Sequence, residues 1–197
     1  MRYSIVIFLF ITYLVPAQAV ENLVPTAREL QVLPEFCKLK FKKGGEDRAL
    51  GMSIWGQQFS NIHHYCFGLN WMNRYYKRVA TAEAKRTLNA AVLEFTYMVD
   101  HLYEDGPLAG EILMNRGVAF MAAKRNADGL KDLYKALQYN PGLAKVYRII
   151  ARYYEKNGRR DNALEILEEG MKHVPRSNSL RRLYKKYGGK RSEQNKQ

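Results

Sequence analysis

Two consecutive stretches of 34 residues decide the fold of this chain: GEILMNRGVAFMAAKRNADGLKDLYKALQYNPGL at residues 110–143 and AKVYRIIARYYEKNGRRDNALEILEEGMKHVPRS at residues 144–177. Small residues allow two helices to approach closely, and proline ends a helix because its ring does not fit a helix interior. The spacing predicts two helix–turn–helix units, with turns at residues 140–142 and 156–159. Residue size is shared at this interval by Leu113/Tyr147, Gly117/Ala151, Phe120/Tyr154, Gly129/Ala163, Leu133/Leu167, Ala136/Gly170 and Pro141/Pro175.

These units resemble the tetratricopeptide repeat, a helix–turn–helix unit of 34 residues. The second unit matches more closely, because the first has Arg116 where the family has an apolar residue. The resemblance implies an all-α fold, an α-solenoid in which the first helix of each unit lines a concave groove. Each unit buries its apolar face only against its neighbours, so a third unit and a capping helix are expected.

Two further helical stripes predict a third, degenerate unit at residues 61–106, whose internal connection is longer than the family pattern. After Pro175, a short amphipathic stripe predicts a capping helix at residues 178–187, and residues 188–197 predict a disordered basic tail. The stripes of the degenerate unit consist of Ile62, Tyr65, Cys66, Leu69, Met72 and Tyr76, then Leu88, Ala91, Val92, Phe95, Val99 and Leu102, with Gly68 as the small residue of the first helix.

The N-terminus has the pattern of a secretory signal peptide at residues 1–19. Arg2 precedes an apolar run at residues 5–15, and small residues follow as a cleavage site before Val20. The apolar run is too short to span a bilayer, for which about 20 residues are needed. The sequence therefore predicts a periplasmic or secreted protein, with a retained membrane anchor as the alternative.

The N-terminal segment at residues 20–60 has weaker periodicity. Thr26 and Glu29 have the spacing of a capping box at the start of a short helix. In an oxidising compartment Cys37 and Cys66 predict a disulfide, which contributes about 3 to 4 kcal/mol by the chain-entropy argument. Free thiols, or bonds to partner proteins, are the alternatives. We expect the segment to pack on the outer face of the first unit, tethered by the disulfide.

Two short motifs, LPEFC at residues 33–37 and HHYCFGL at residues 63–69, carry a second resemblance. Together with the repeats they are similar to a group of exported bacterial proteins with tetratricopeptide repeats. This resemblance covers nearly the whole mature chain, and it implies no particular activity.

Positive charge collects at positions that the repeat pattern assigns to the groove. Lys145, Arg148 and Arg152 are spaced by three and four residues, so they share one side of a helix. The repeat pattern assigns two equivalent positions in the capping helix to Arg182 and Lys186. These five residues form the candidate binding stripe.

The preceding unit would line the groove with a more apolar strip: Glu111, Met114, Asn115, Val118 and Met121. Asn115 could hold a peptide backbone. The predicted groove is apolar in its N-terminal half and cationic in its C-terminal half, which resembles repeat domains that clamp the acidic or carboxylate end of a peptide. Charge stripes on helices are commonly only solvated, which is the alternative.

The charge balance favours anionic partners. The formal charge is +13, and it falls to +12 when residues 1–19 are removed, because they contain one arginine and no acid. We therefore predict a non-enzymatic scaffold that binds an acidic peptide or protein segment, with cell-envelope assembly as a candidate setting. The alternative is a polyanion, such as polysaccharide, anionic lipid or nucleic acid, bound through residues 145–191. The sequence contains no recognisable nucleic-acid-binding motif.

Neither an enzyme activity nor a cofactor is expected, because the sequence has no phosphate-binding glycine loop, nucleophile elbow or haem-attachment pair. The best metal candidate combines His63, His64 and Cys66, with Cys37 as a fourth ligand. Adjacent residues on a helix point about 100° apart, so two neighbouring histidines hardly face one ion. We therefore predict no metal site and interpret the histidines as packed beside a disulfide.

Overall fold

The computed structural model describes residues 23–42, 44–78, 81, 83–103 and 106–189, and in these ranges the chain forms helices and no strand. The predicted all-α class is thereby confirmed. The signal peptide predicted at residues 1–19 and most of the predicted tail, residues 190–197, lie outside the described residues. The helices are α1 (Ala27–Leu30), α2 (Glu35–Phe41), α3 (Gly45–Trp55), α4 (Gln58–Lys77), α5 (Ala84–Asp100), α6 (Ala109–Ala122), α7 (Asn126–Tyr139), α8 (Ala144–Lys156), α9 (Arg160–His173) and α10 (Asn178–Lys186).

From α4 onward, the helices pack as consecutive pairs. α4 packs against α5, α6 against α7, and α8 against α9, and each pair contacts the next through α5 with α6 and α7 with α8. The last helix, α10, packs on both α9 and α8. Apolar side chains fill the space between neighbours because each pair on its own would leave one apolar face exposed. Among the described residues, no helix has the length and apolar character needed to cross a membrane.

Small residues set the close approach within each pair. A Cβ atom added to Gly117 would lie 2.9 Å from the carbonyl oxygen of Gly129, and one added to Gly129 would lie 2.8 Å from that of Gly117. Ala151 and Ala163, one interval later, are fully buried. A larger side chain at these positions would push the helices of a pair apart.

The turns inside the second and third pairs share one backbone conformation. Gly158 ends α8 with φ +72°, in the left-handed region, and Lys124 takes the same place after α6 with φ +64°. In both turns the next residue donates its backbone N–H to a carbonyl five residues earlier, at 2.9 Å. Glycine adopts this conformation readily, whereas lysine adopts it at an energetic cost.

The N-terminal segment packs on the first helix of the first pair. The predicted disulfide joins Cys37 of α2 to Cys66 of α4, with 5.6 Å between their Cα atoms, and both residues are fully buried. α2 packs mainly against α4 and α3. The expected position on the outer face, which the second helix would form, is therefore wrong. The apolar side chains of α2 find their buried partners on α4 instead.

Three contacts fix the direction of this segment along α4. Near the end of α4, Arg74 donates from Nε and Nη2 to the carboxylate of Glu29, at 2.7 and 3.0 Å. In the middle of α4, the ring of Phe36 stacks on Tyr65 with 5.6 Å between centroids. At the start of α4, Lys40 donates to the backbone carbonyls of residues 59 and 60. The segment therefore runs antiparallel to α4 along most of its length.

Candidate functional site

The first helices of the three pairs can be compared position by position, because Gly68, Gly117 and Ala151 occupy the same place in α4, α6 and α8. One side of each helix points away from the second helix of its pair, and we call it the front face. It is the side that the sequence predicts to line a groove. It consists of Ile62, Cys66, Leu69 and Asn73 on α4; Glu111, Asn115, Val118 and Ala122 on α6; and Lys145, Ile149, Arg152 and Lys156 on α8.

The front face of α4 is covered by the chain itself. Ile62 and Cys66 are 0% exposed, although they stand where α8 has a lysine and a half-buried isoleucine. The cover is α2, through the disulfide at Cys66 and the stacked ring on the neighbouring Tyr65. This part of the front face therefore has its binding partner within the same chain.

The front face of α6 is half-buried, and its predicted site residue is engaged in the fold. Asn115 donates its side-chain amide to the hydroxyl oxygen of Tyr65, at 2.6 Å, and to the backbone carbonyl of Glu111, at 3.0 Å. Both N–H groups of the amide are thereby used, and they join α6 to α4. A peptide could be held only by the side-chain oxygen of Asn115, which would accept a backbone N–H.

The front face of α8 is open and cationic. Lys145, Arg152 and Lys156 are exposed. Within the described part of the chain, no carboxylate lies within 4.0 Å of the charged nitrogens of these three residues. Their charges are therefore available to a ligand.

Arg148 lies beside this open face and is half-buried. Its Nε, like Oε2 of Glu155, is buried and has no hydrogen-bond partner among the described residues. Burial raises the pKa of Tyr187 in α10, the Glu155 carboxylate raises it further, and Arg152 opposes both. These effects require short distances, so the charged flank of α8 meets α10 at this point.

The capping helix carries its cations in a register different from the predicted one. Arg182 and Lys186 are exposed, as a ligand site requires. The buried residues of α10, however, match those of α8 at an interval of 33 residues: Leu180 with Tyr147, Leu183 with Ile150, and Tyr187 with Tyr154. Arg182 and Lys186 therefore correspond to Ile149 and Tyr153 of α8, not to Arg148 and Arg152. Arg182 still belongs to the front face.

A buried ion pair is the main feature that sequence reasoning missed. Arg116 donates from Nε and Nη2 to the carboxylate of Asp132, at 2.6 and 2.9 Å, and both side chains are largely buried. One interval later the same two positions hold Ile150 and Ile166, which pack in one apolar cluster. The two departures from the repeat pattern, Arg116 and Asp132, compensate each other across α6 and α7. The signal was available as a pair of opposite charges at partnered positions.

The histidines of the metal hypothesis have other partners. Cys66 is bonded to Cys37, and Nδ1 of His64 lies 2.7 Å from the Glu94 carboxylate. Burial lowers the pKa of His63 to about 4, with smaller contributions from the positive charges of His64 and Lys40. Across the described residues, no group of three or more His, Cys, Asp or Glu side chains is placed to hold a metal ion.

The arrangement as a whole is a row of helices whose front face is covered at α4, half-buried at α6, and open and basic at α8 and α10. Such a surface can bind an anionic partner by charge and by the exposed parts of its apolar residues. A scan against models of protein families finds none that matches this chain, and a search of curated proteins finds no similar sequence.

Proposed function

We propose that this chain is a non-enzymatic repeat protein of the tetratricopeptide type, whose helix pairs and α10 form a curved solenoid. Its concave side is the front face, and its ligand is an acidic peptide or protein segment. The observation that carries the proposal is the open row of unpaired cations on α8, at positions where α4 is covered by a helix of the same chain. Export to the periplasm or the cell exterior belongs to the same proposal.

Several cations must act together for this site to bind. A single exposed ion pair contributes about 0 to 1 kcal/mol, because water and salt screen the charges. Lys145, Arg152 and Lys156 lie on one open face of α8, and Arg182 lies on the helix packed beside it. A peptide with several carboxylates along one side could contact all four, and its binding should weaken as the salt concentration rises.

The apolar part of the site lies on α6. Val118 and Met121 are half-buried, so each still presents some apolar surface beside the cationic α8. A ligand with apolar residues preceding or following its acidic ones would use both parts. This combination favours a protein segment over a uniformly charged polymer.

The second candidate function is binding of a polyanion through the basic C-terminal half. The exposed cations of α10 favour it, because Arg181, Arg182, Lys185 and Lys186 surround much of that short helix. Such binding should follow the number of charges and not their position, and it should fall steeply between low and moderate salt.

A matched pair of triple variants tests the proposal. Lys145→Glu, Arg148→Glu and Arg152→Glu reverse the stripe, while Lys85→Glu, Lys131→Glu and Lys135→Glu change the same total charge on the exposed sides of α5 and α7. Each full-length variant is used to capture proteins from the native envelope, and the captured proteins are identified by mass spectrometry. The stripe variant should lose partners that the control retains.

Two outcomes would contradict the proposed site. If the stripe variant retains every partner, the front face is not the binding surface. If both variants lose partners equally, net charge and not position determines binding, which favours the polyanion candidate. Circular dichroism of both variants checks that the helices remain folded.

A further inference from the structure

A separate cleft lies between α1 and the C-terminal end of α4, away from the open face of α8. It encloses about 500 Å³. The residues that line it come from both helices and the segments beside them: Thr26, Arg28, Glu29, Val32, Arg74, Lys77 and Arg78. Four of the seven are cations and one is an acid.

The single carboxylate of this cleft is already engaged. Arg74 holds the pKa of Glu29 at about 2, mainly through its hydrogen bonds, and the Thr26 backbone N–H and hydroxyl also donate to this carboxylate. Glu29 is therefore ionised at neutral pH and neutralises Arg74. Its position leaves the other cations of the cleft without compensation from this acid.

Two cations of the cleft are available to a ligand. No carboxylate lies within 4.0 Å of the charged nitrogens of Arg28 or Lys77 among the described residues, and both side chains are exposed. Arg78 lies 3.4 Å from the Glu83 carboxylate. The last turn of α4 accounts for Lys77 and Arg78, since cations stabilise a helix C-terminus. It does not account for Arg28, which belongs to α1.

The wall of the cleft is rigid. Arg74 is largely buried, is held by two hydrogen bonds to Glu29, and lies over the Trp71 ring at 4.6 Å from its centroid. Val32 stands at the rim with 67% of its surface exposed. The cleft therefore combines a fixed, cationic interior with an apolar edge.

From this geometry we propose that the cleft binds a phosphate group. A phosphate presents several oxygens and up to two negative charges, so it can contact Arg28 and Lys77 from the two sides of the cleft. A carboxylate carries one charge and would add little to the one already present. The phosphate can belong to free inorganic phosphate or to the headgroup of an anionic lipid, for which Val32 offers an apolar contact.

The test uses the full, oxidised chain and inorganic phosphate at low ionic strength, followed by chemical-shift titration. The variant is Arg28→Gln with Lys77→Gln, and the control is Lys131→Gln with Lys135→Gln on α7. We expect saturable shifts at residues around the cleft in the wild type and the control, and binding at least about tenfold weaker in the cleft variant, a difference of about 1.4 kcal/mol. Both altered residues are exposed, so thermal unfolding should be unchanged.

Vesicles separate the two sources of phosphate. Binding to phosphatidylglycerol vesicles, but not to phosphatidylcholine vesicles, that the cleft variant loses identifies a lipid headgroup. Phosphate binding without such vesicle binding identifies a free or soluble phosphate. The proposal is overturned if the wild type shows no saturable binding, or if the cleft variant binds phosphate as well as the control does.

Discussion

The first helix of the first pair and the first helix of the third pair have the same place in their units and opposite surroundings. On α4, Ile62 and Cys66 lie under α2 and are inaccessible to water. On α8, Lys145 and Arg152 are open to solvent. The difference teaches that this face of a helix pair can bind another helix, and that its residue types decide whether the chain covers it or leaves it free.

The energetic contrast between the two regions follows from their contacts. The cover on α4 is held by a disulfide, by a largely buried ion pair between Glu29 and Arg74, and by the ring of Phe36. Burial of apolar area adds about 25 cal/mol per Å² to such a contact. Charged side chains on α8 would lose their hydration under the same cover, so that face stays open unless an anionic partner arrives.

The largest expected effect tests whether the helix pairs are interchangeable units, which the comparison assumes. Arg116→Ile leaves the Asp132 carboxylate buried without its partner, and should lower the free energy of unfolding by about 3 to 5 kcal/mol. Arg116→Ile combined with Asp132→Ile should return stability to within about 1 kcal/mol of the wild type, because Ile150 and Ile166 pack at the corresponding positions.

Urea unfolding followed by circular dichroism at neutral pH measures both changes. A double variant as unstable as the single one would mean that the second and third pairs are packed by different rules.

A somewhat smaller effect is expected from the disulfide, which would break the comparison by uncovering α4. The bond joins residues separated by 29 positions, so replacing Cys37 and Cys66 with serine should reduce stability by about 3 to 4 kcal/mol. The loss should concentrate in α2 and the start of α4, since the contacts of α8 and α9 do not involve this segment.

Hydrogen exchange resolved by peptide distinguishes the two regions. Faster exchange in α2 with unchanged exchange in α8 and α9 is the expected pattern. Equal acceleration in both regions would show that the chain unfolds as one cooperative unit, and that the cover stabilises the open end as well.

The smallest expected effect compares the turns within the second and third pairs. Lys124 and Gly158 share a left-handed conformation that costs a lysine about 1 kcal/mol. Lys124→Gly should raise the free energy of unfolding by up to about 1 kcal/mol, and Gly158→Lys should lower it by a similar amount. Urea unfolding of the two variants measures both changes, and changes of the same sign would show that the two turns are not equivalent.

Helix pairs were predictable because their signals are local and periodic. Small residues such as Gly117 and Ala151 recur at the interval of the predicted units, and Gly158 marks a turn. The disulfide was predictable as well, because Cys37 and Cys66 are the only two cysteines of the chain. Recurrence of Leu133 and Leu167 as fully buried residues has the same origin, since one pattern of apolar residues specifies one pattern of burial.

The candidate site was predictable only in part. Exposed cations at Lys145 and Arg152 are consistent with the helical spacing, whereas the hydrogen bonds of Asn115 to Tyr65 and Glu111 depend on how α6 meets α4. The shift of α10 by one residue was also hidden. It arises because burial of Leu180 and Leu183 against α8 and α9, and not the repeat interval, fixes the rotation of that last helix.

By itself, the sequence determined the all-helical class, the spacing of the helices and the pairing of the two cysteines, because these depend on residue types at short or fixed separations. Only the tertiary structure decided that α2 covers the front face of α4, that Arg116 is matched by Asp132, and that Arg28 meets Lys77 across a cleft. Those outcomes depend on which surfaces meet in space, and a surface is assembled from residues far apart in the chain.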